Sequence, residues 1–239
     1  MERLDRFLAA GGVESRRRVK EVVRSGRVCV NGAVISEPEF KVDPEKDVIT
    51  LDGRRIGASA GRKVVMLHKP AGCITAARDE KERTVMECLP PEYRKLMPIG
   101  RLDKETEGLL LFTNDGDLAH RLLAPKSHVV KEYYAEHIGQ ATEEDVTAFA
   151  EGCVLRDGTK CLPAELIPLG AGKSTIRIRE GKYHQVRRMM ASRAMTVTYL
   201  RRVAEGGVRL GDLPIGMSRE MTQEEIDSLT SVDFDEKFS

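Results

Sequence analysis

The chain has 239 residues, long for one domain and comfortable for two, and 41% of them are hydrophobic, which excludes wholesale disorder. Trp is absent and aromatic residues make up 5%, so any core must rest on Leu, Val, Ile and Met. The formal net charge of +1 hides a strong asymmetry along the chain.

Residues 3–56 read as a compact unit. Leu4, Phe7 and Leu8 mark one face of a short helix that Gly11-Gly12 ends. Ser15 caps a second helix with Val19, Val22 and Val23 inward, and Gly26 sits just past its end. Arg17, Lys20 and Arg24 share the opposite face. Arg27–Val30, Asn31-Gly32 and Ala33–Ile35 predict strand, tight turn, strand, and Val48–Leu51 a later strand ending at Asp52-Gly53. The small-residue run Gly57-Ala58-Ser59-Ala60-Gly61 places the boundary, giving a module at 1–56, a linker at 57–62 and a larger domain at 63–239.

In the larger domain, Val64–Leu67 and Leu109–Phe112 are buried-type strands, followed by Lys69-Pro70-Ala71-Gly72 and Asn114-Asp115-Gly116 turns respectively. Asp117–Leu123 reads as helix and Lys131–Ile138 as extended. Thr142 with Asp145 resembles a capping box for a helix to about Ala150. Thr175–Arg179 is a strand, His184–Arg193 a basic helix, Val197–Val203 a strand, and Thr222 with Glu225 opens a last short helix. Strands and helices mix without regular alternation, which points to an α+β (mixed α/β) fold rather than a doubly wound one.

Six basic residues lie between Ser15 and Arg27 against Glu21 alone, and ten between Lys173 and Arg209 against Glu180 and Glu205. From Arg219 to Ser239 there are seven acids and two bases. Two basic blocks suit a polyanion met by specific faces; solvated helix faces explain the charge equally well. The five cysteines (Cys29, Cys73, Cys88, Cys153, Cys161) have no metal-ligand spacing, so reduced thiols in a cytoplasmic protein are expected. The charged start Met-Glu-Arg-Leu-Asp-Arg is unlike a signal peptide, and no apolar run approaches the roughly 20 residues of a membrane span.

Two stretches carry chemistry. Gly100–Gly116 places Asp103 on a glycine-flanked loop just before a buried strand, where a carboxylate is rigidly held yet open to a ligand. Spacing alone favours an ordinary capping Asp in a turn. Gly181–Met190 sets adjacent Arg187 and Arg188 on a helix whose Val186, Met189 and Met190 pack inward, leaving one arginine for a site; a basic surface helix fits the same pattern.

Together these stretches resemble the small-subunit ribosomal RNA pseudouridine synthase A family, within the group that shares an S4-type RNA-binding module. The resemblance covers nearly the whole chain: residues 2–56 with Gly-Arg-Val-Cys-Val-Asn-Gly, the Lys69–Gly72 turn, Gly100–Gly116 with Thr106, Gly108 and Leu109 in place, Lys131-Glu132-Tyr133, and Gly181–Met189. His68 departs from the pattern, where relatives often carry Asn. The resemblance implies that Asp103 is the catalytic carboxylate, Tyr133 the base-contacting aromatic and Arg187 the partner of the Asp. It further implies RNA contacts from Arg16, Arg17, Lys20, Arg24, Lys69, Arg101, Lys131, Lys182 and Arg188. The reaction breaks the N1–C1′ bond of uridine, turns the uracil and rejoins it through C5. A carboxylate can serve that step, a neighbouring guanidinium keeps it ionised, and an aromatic face holds the loose base. No redox cofactor, ATP or metal is required.

The expected partner is ribosomal RNA, together with ribosomal proteins or assembly intermediates, met by a monomer with no membrane attachment. The Gly-Lys-Tyr-His-Gln-Val-Arg-Arg-Met run and the acidic end favour a small-subunit over a large-subunit target. A non-catalytic S4-type RNA-binding protein would explain the basic blocks but not the set Asp103, Tyr133 and Arg187. A carboxylate-based glycoside or nucleoside hydrolase would want a second carboxylate with its own role, for which Glu105 and Glu107 are nearby.

Overall fold

The computed structural model describes residues 1–10, 13, 16–44, 46–56, 63–124 and 127–229, the side chains of 10, 16 and 17 excepted. Two compact units divide the chain, Met1–Lys63 and Val64–Ser239. The expected stop at Gly11-Gly12, the Ser15 cap, the linker at 57–62, the side chains of Arg16 and Arg17, and the acidic Asp233, Asp235 and Glu236 lie outside the described residues.

In the first unit, β1 (Glu2–Arg3) runs into α1 (Leu4–Ala10), followed by α2 (Arg16–Arg24). Leu4, Phe7 and Leu8 meet Val19 and Val23 in one core, as helical spacing requires. β2 (Val28–Val30) and β3 (Ala33–Val34) pair across Asn31-Gly32, whose positive φ values of 51° and 83° suit a two-residue hairpin turn. β4 (Lys41–Val42) pairs with β1. β5 (Ile49–Leu51) lies between β2 and β6 (Arg54–Ile56), a strand with no counterpart in the sequence reading. Its Arg-Arg-Ile has little strand character; the Asp52-Gly53 turn, also at positive φ, folds it back onto β5.

The second unit runs β7 (Val64–Lys69), β8 (Met97–Ile99), β9 (Glu107–Thr113), α3 (Gly116–Leu123), β10 (Lys131–Ile138), α4 (Glu143–Glu151), β11 (Glu165–Gly170), β12 (Lys173–Ile178), α5 (Gln185–Ser192), β13 (Thr196–Glu205), β14 (Val208–Arg209), β15 (Ser218–Glu220) and α6 (Gln223–Ser228). Its sheet has the order β11-β12-β10-β13-β9-β7-β15, with β14 on β13 and β8 on β9. Antiparallel halves meet where β13 runs parallel to β9, at Arg201↔Glu107 and Arg202↔Gly108. Val65, Leu67, Leu110 and Phe112 face a core shared with Phe149 of α4 and Val186, Met189 and Met190 of α5. Val64, Met66, Leu109 and Leu111 face the opposite core, with Leu118 and Leu122 of α3 and Ile226 of α6. Burial on both faces explains why β7 and β9 read as unbroken apolar runs. The fold is thus α+β, with helices on both faces of a mixed sheet.

The parallel seam depends on a glycine. A Cβ on Gly108 (φ +111°) would meet the Arg202 carbonyl oxygen at 2.2 Å and its amide nitrogen at 2.6 Å. Gly32 (φ +83°) instead has nothing within 4 Å. Gly108→Ala should therefore cost about 4 kcal/mol or more, while Gly32→Ala should cost about 1 kcal/mol, from backbone strain alone. Urea unfolding midpoints of the two variants check this; equal shifts would show that the seam relaxes.

Candidate active site

Asp103 sits on the loop that enters β9, its side chain 34% exposed. The loop backbone is held at every carbonyl from 102 to 106. Leu102 O accepts from the Thr75 hydroxyl (2.8 Å), whose oxygen in turn accepts from Leu102 N (3.1 Å). Asp103 O accepts from Thr106 N at 3.0 Å, closing a tight turn. Lys104 O accepts from Gly72 N (2.9 Å) and Lys69 Nζ (3.1 Å). Glu105 O accepts from Arg187 Nη2 at 3.4 Å, and Thr106 O from Lys69 Nζ at 2.9 Å.

Lys69 also donates to Pro70 O (2.9 Å) and is 0% exposed. Burial pushes its ammonium below the usual lysine range, against the pull of Cys73, Cys88, Glu105 and Asp103. The expectation that Lys69 grips RNA is therefore corrected: its ammonium donates to three protein carbonyls and faces no solvent.

The loop borders a cleft of about 790 Å³ that also takes in Thr106, Tyr133, Lys131, Arg179 and Arg202. Tyr133 lies opposite Arg202 where β10 pairs with β13, beside a register shift at Glu132/Tyr133. Arg202 and Glu205 are both buried and form an ion pair at 3.2 Å, and Arg202 Nε donates to Leu109 O at 2.8 Å. Burial, Glu205 and Asp103 raise the Tyr133 phenol above its ordinary value, whereas Arg202 acts to lower it. Burial works against the Arg202 charge, but Glu205 and Tyr133 outweigh it and the guanidinium stays ionised. Lys131 is half-buried, with Nζ donating to Val129 O at 3.3 Å, and burial lowers its pKa.

The turn before α5 forms another wall. Gln185 is buried; its Oε1 accepts from Lys182 N (2.8 Å) and its Nε2 donates to Glu180 Oε1 (2.7 Å). His184 occupies the N-cap position of α5 in left-handed backbone (φ 48°, ψ 33°), a conformation that costs a non-glycine residue about 1 kcal/mol or more. That kink brings His184 Nε2 to 3.7 Å from Asp103 Oδ1 and stacks its ring on Tyr183, centroids 3.8 Å apart and planes 18° apart. Tyr183 is 75% exposed.

Arg187 does not pair with Asp103, a second correction. The helix phase aims its guanidinium at backbone, Val197 O (3.1 Å) and Glu105 O. Arg188 pairs with Asp157 and Lys182 with Glu180. Arg101 is exposed and Arg179 half-buried at the cleft, where each side chain forms no hydrogen bond or ion pair among the described residues. In the other unit Arg24 is exposed and Lys20 half-buried on α2. Sequence reasoning missed the pairing of Arg202 with Glu205, which it counted only as charges, and the places of Thr75 and Arg179 at the cleft. Their i, i+3 spacing within a strand is the one available signal for the first pair, and it is weak. Among the described residues, no group of three or more His, Cys, Asp or Glu side chains could hold a metal, and no helix is long and apolar enough to cross a membrane.

Comparison with known proteins gives the arrangement its context. Residues 63–192 match the family model for RNA pseudouridylate synthase, and residues 2–49 match the S4 domain. An uncharacterized RNA pseudouridine synthase of Bacillus subtilis is 40% identical, over 94% of this chain and 96% of its own. A ribosomal small subunit pseudouridine synthase A of Pseudomonas aeruginosa is 38% identical (95% and 100%), and a ribosomal large subunit pseudouridine synthase B of Bacillus subtilis is 36% identical (97% and 97%). A crystal structure of a pseudouridylate synthase superposes with a TM-score of 0.68 at 32% identity, covering 96% of this chain and 100% of that one. With its fold, its two family matches and relatives aligned over nearly their whole length, the chain belongs to the RNA pseudouridine synthases that carry an N-terminal S4 domain.

Proposed function

We propose that the protein converts a uridine of small-subunit ribosomal RNA to pseudouridine in the cytoplasm, with Asp103 as the catalytic carboxylate. The observation that carries this reading is a carboxylate on a fully hydrogen-bonded loop, facing a cleft walled by a buried tyrosine. In the reaction, Asp103 acts where the N1–C1′ bond breaks, and the Tyr133 ring supports the uracil as it turns. The resting phenol is held protonated, so any transfer of the C5 proton to it depends on Arg202, the group that favours the phenolate. Lys69 supplies a positive field at Asp103, and the His184 ring lies 3.7 Å from its carboxylate. Arg187 acts through the loop, by fixing the Glu105 carbonyl. Arg101 and Arg179, without a partner among the described residues, offer guanidinium groups for phosphates beside a flipped-out nucleotide, and the exposed Tyr183–His184 stack offers a platform for a neighbouring base.

The small-subunit choice rests on relatives such as that of Pseudomonas aeruginosa and on the Tyr183-His184-Gln185 run. Separate incubation with unmodified small- and large-subunit RNAs, followed by pseudouridine mapping, should show one new site in the small-subunit RNA. Modification confined to the large-subunit RNA would overturn the target and leave the chemistry standing.

Asp103→Asn should keep fold and RNA affinity while lowering turnover on the order of 10⁴-fold or more, because the near-isosteric amide lacks the reacting charge. Single-turnover tritium release from C5-labelled uridine measures this, and clear turnover would remove Asp103 from the mechanism.

Lys69→Met leaves backbone carbonyls of the loop without their donor. It should cost about 3 kcal/mol of stability and lower kcat on the order of 10²-fold. The slope of log affinity against log salt should not change, whereas loss of a phosphate contact would reduce it by about one.

A further inference from the structure

Cys73 and Cys88 take no part in the reaction proposed above, yet their Sγ atoms lie 3.8 Å apart. Cys73 is fully buried, and Cys88 is half-buried at the end of the short 3₁₀ helix Val85–Cys88. Cys73 also stands between two ties of the Asp103 loop. Before it, Gly72 N donates to Lys104 O at 2.9 Å, and Pro70 O receives both Lys69 Nζ (2.9 Å) and Cys73 Sγ (3.4 Å). After it, the Thr75 hydroxyl holds Leu102.

The two thiols are chemically unlike. A hydrogen bond between the two sulfurs holds the Cys88 thiol down to about 6, against burial and with help from Arg83 and Lys69. Cys73 is pushed up by the same hydrogen bond and by burial. The more accessible sulfur is thus the better nucleophile, with its resolving partner already in contact.

We propose that Cys73 and Cys88 are an oxidative modification site, in which a peroxide joins them as a disulfide and displaces the loop that carries Asp103. The Cys88 thiolate attacks one peroxide oxygen, the O–O bond breaks, and the departing hydroxide takes a proton to become water. Cys73 sulfur then attacks the resulting Cys88 sulfenic sulfur; the S–O bond breaks, and its oxygen leaves as water with the Cys73 thiol proton. Two electrons from the two sulfurs reduce one peroxide to two waters. A disulfide requires an S–S distance of about 2.05 Å, so the sulfurs must approach by about 1.8 Å from their present 3.8 Å. Cys73 is packed in the core, and its neighbours are bonded to Leu102 and Lys104, so the displacement passes into the residues flanking Asp103. The disulfide stands independently of the reaction; its effect on turnover rests on the proposed role of Asp103.

The test treats the reduced full-length protein with equimolar hydrogen peroxide and maps tryptic peptides without reductant. Residues 64–78 and 84–94, which carry Cys73 and Cys88, should appear as one linked species that reductant separates. Turnover should fall about 10²-fold, as expected for a displacement of about 1 Å at a reacting group, and should recover with dithiothreitol. Exchange of the Leu102 and Thr106 amide protons should quicken on oxidation, a readout that needs no turnover. Cys88→Ser should keep its turnover under the same oxidant, and Cys73→Ala should stop at a Cys88 sulfenic acid that dimedone traps. Unlinked peptides, a Cys153–Cys161 link in their place, or a Cys73–Cys88 link with unchanged amide exchange would overturn the proposal. An untreated protein without turnover, but with the link and faster exchange, would sink the assigned reaction and leave the modification site standing.

Discussion

The site depends on the hydrogen bonding of five consecutive carbonyls, Leu102 to Thr106. A loop that projects a carboxylate into a cleft is ordinarily mobile, and a mobile carboxylate loses most of its catalytic value. Here the ties come from several directions: the Thr75 hydroxyl, the Gly72 amide, the Lys69 ammonium and the Arg187 guanidinium. Three of these donors are on β7 or shortly after it, and the fourth is on α5. Because β7 pairs directly with β9, the strand that the loop enters, the β7 donors and their acceptors belong to one rigid piece of sheet.

The parallel seam sets the other wall. Arg202 and Gly108 are partners in the β13–β9 ladder, and the missing side chain of Gly108 lets the Arg202 backbone pass. Once there, the Arg202 guanidinium is shut away from water and needs a counter-charge, which Glu205 provides three residues on. A buried pair of this kind contributes little net stability and is costly to break. Its consequence here is electrostatic: it fixes a positive group beside Tyr133, where burial alone would suppress ionisation.

Much of this was legible in the sequence, for identifiable reasons. The Asn31-Gly32 hairpin, the Thr142–Asp145 capping box and the apolar runs of β7 and β9 are local signals, and tertiary structure leaves them unchanged. β11 and β15 were not legible. They are the edges of the large sheet, and Pro168 within β11 disguises a strand that only its pairing with β12 creates. The neighbourhood of Asp103 came from family resemblance, since a carboxylate in a glycine-flanked loop is more often a cap than a catalyst. The roles of the basic residues were read least well. Lys69 and Arg202 look in sequence like any other cations, and nothing local distinguishes a lysine that donates to three carbonyls from one that faces a phosphate.

Under the proposed function, that last distinction lets one basic face hold a neutral base and an anionic backbone together. Cations in the catalytic unit fall into layers by what satisfies them. Lys69 is spent on carbonyls and Arg202 on Glu205, so neither adds an attraction for phosphate inside the cleft. Arg188 and Lys182 are each paired with an acid, Asp157 and Glu180. Arg101 and Arg179 carry charge at the cleft without an internal partner among the described residues. On the proposed reading, a phosphate is drawn to these charges at the mouth, and the space beside Tyr133 stays suited to an uncharged ring. Net charge could not reveal this, because it counts compensated and uncompensated cations alike; the ordering emerges only when each side chain's partner is known.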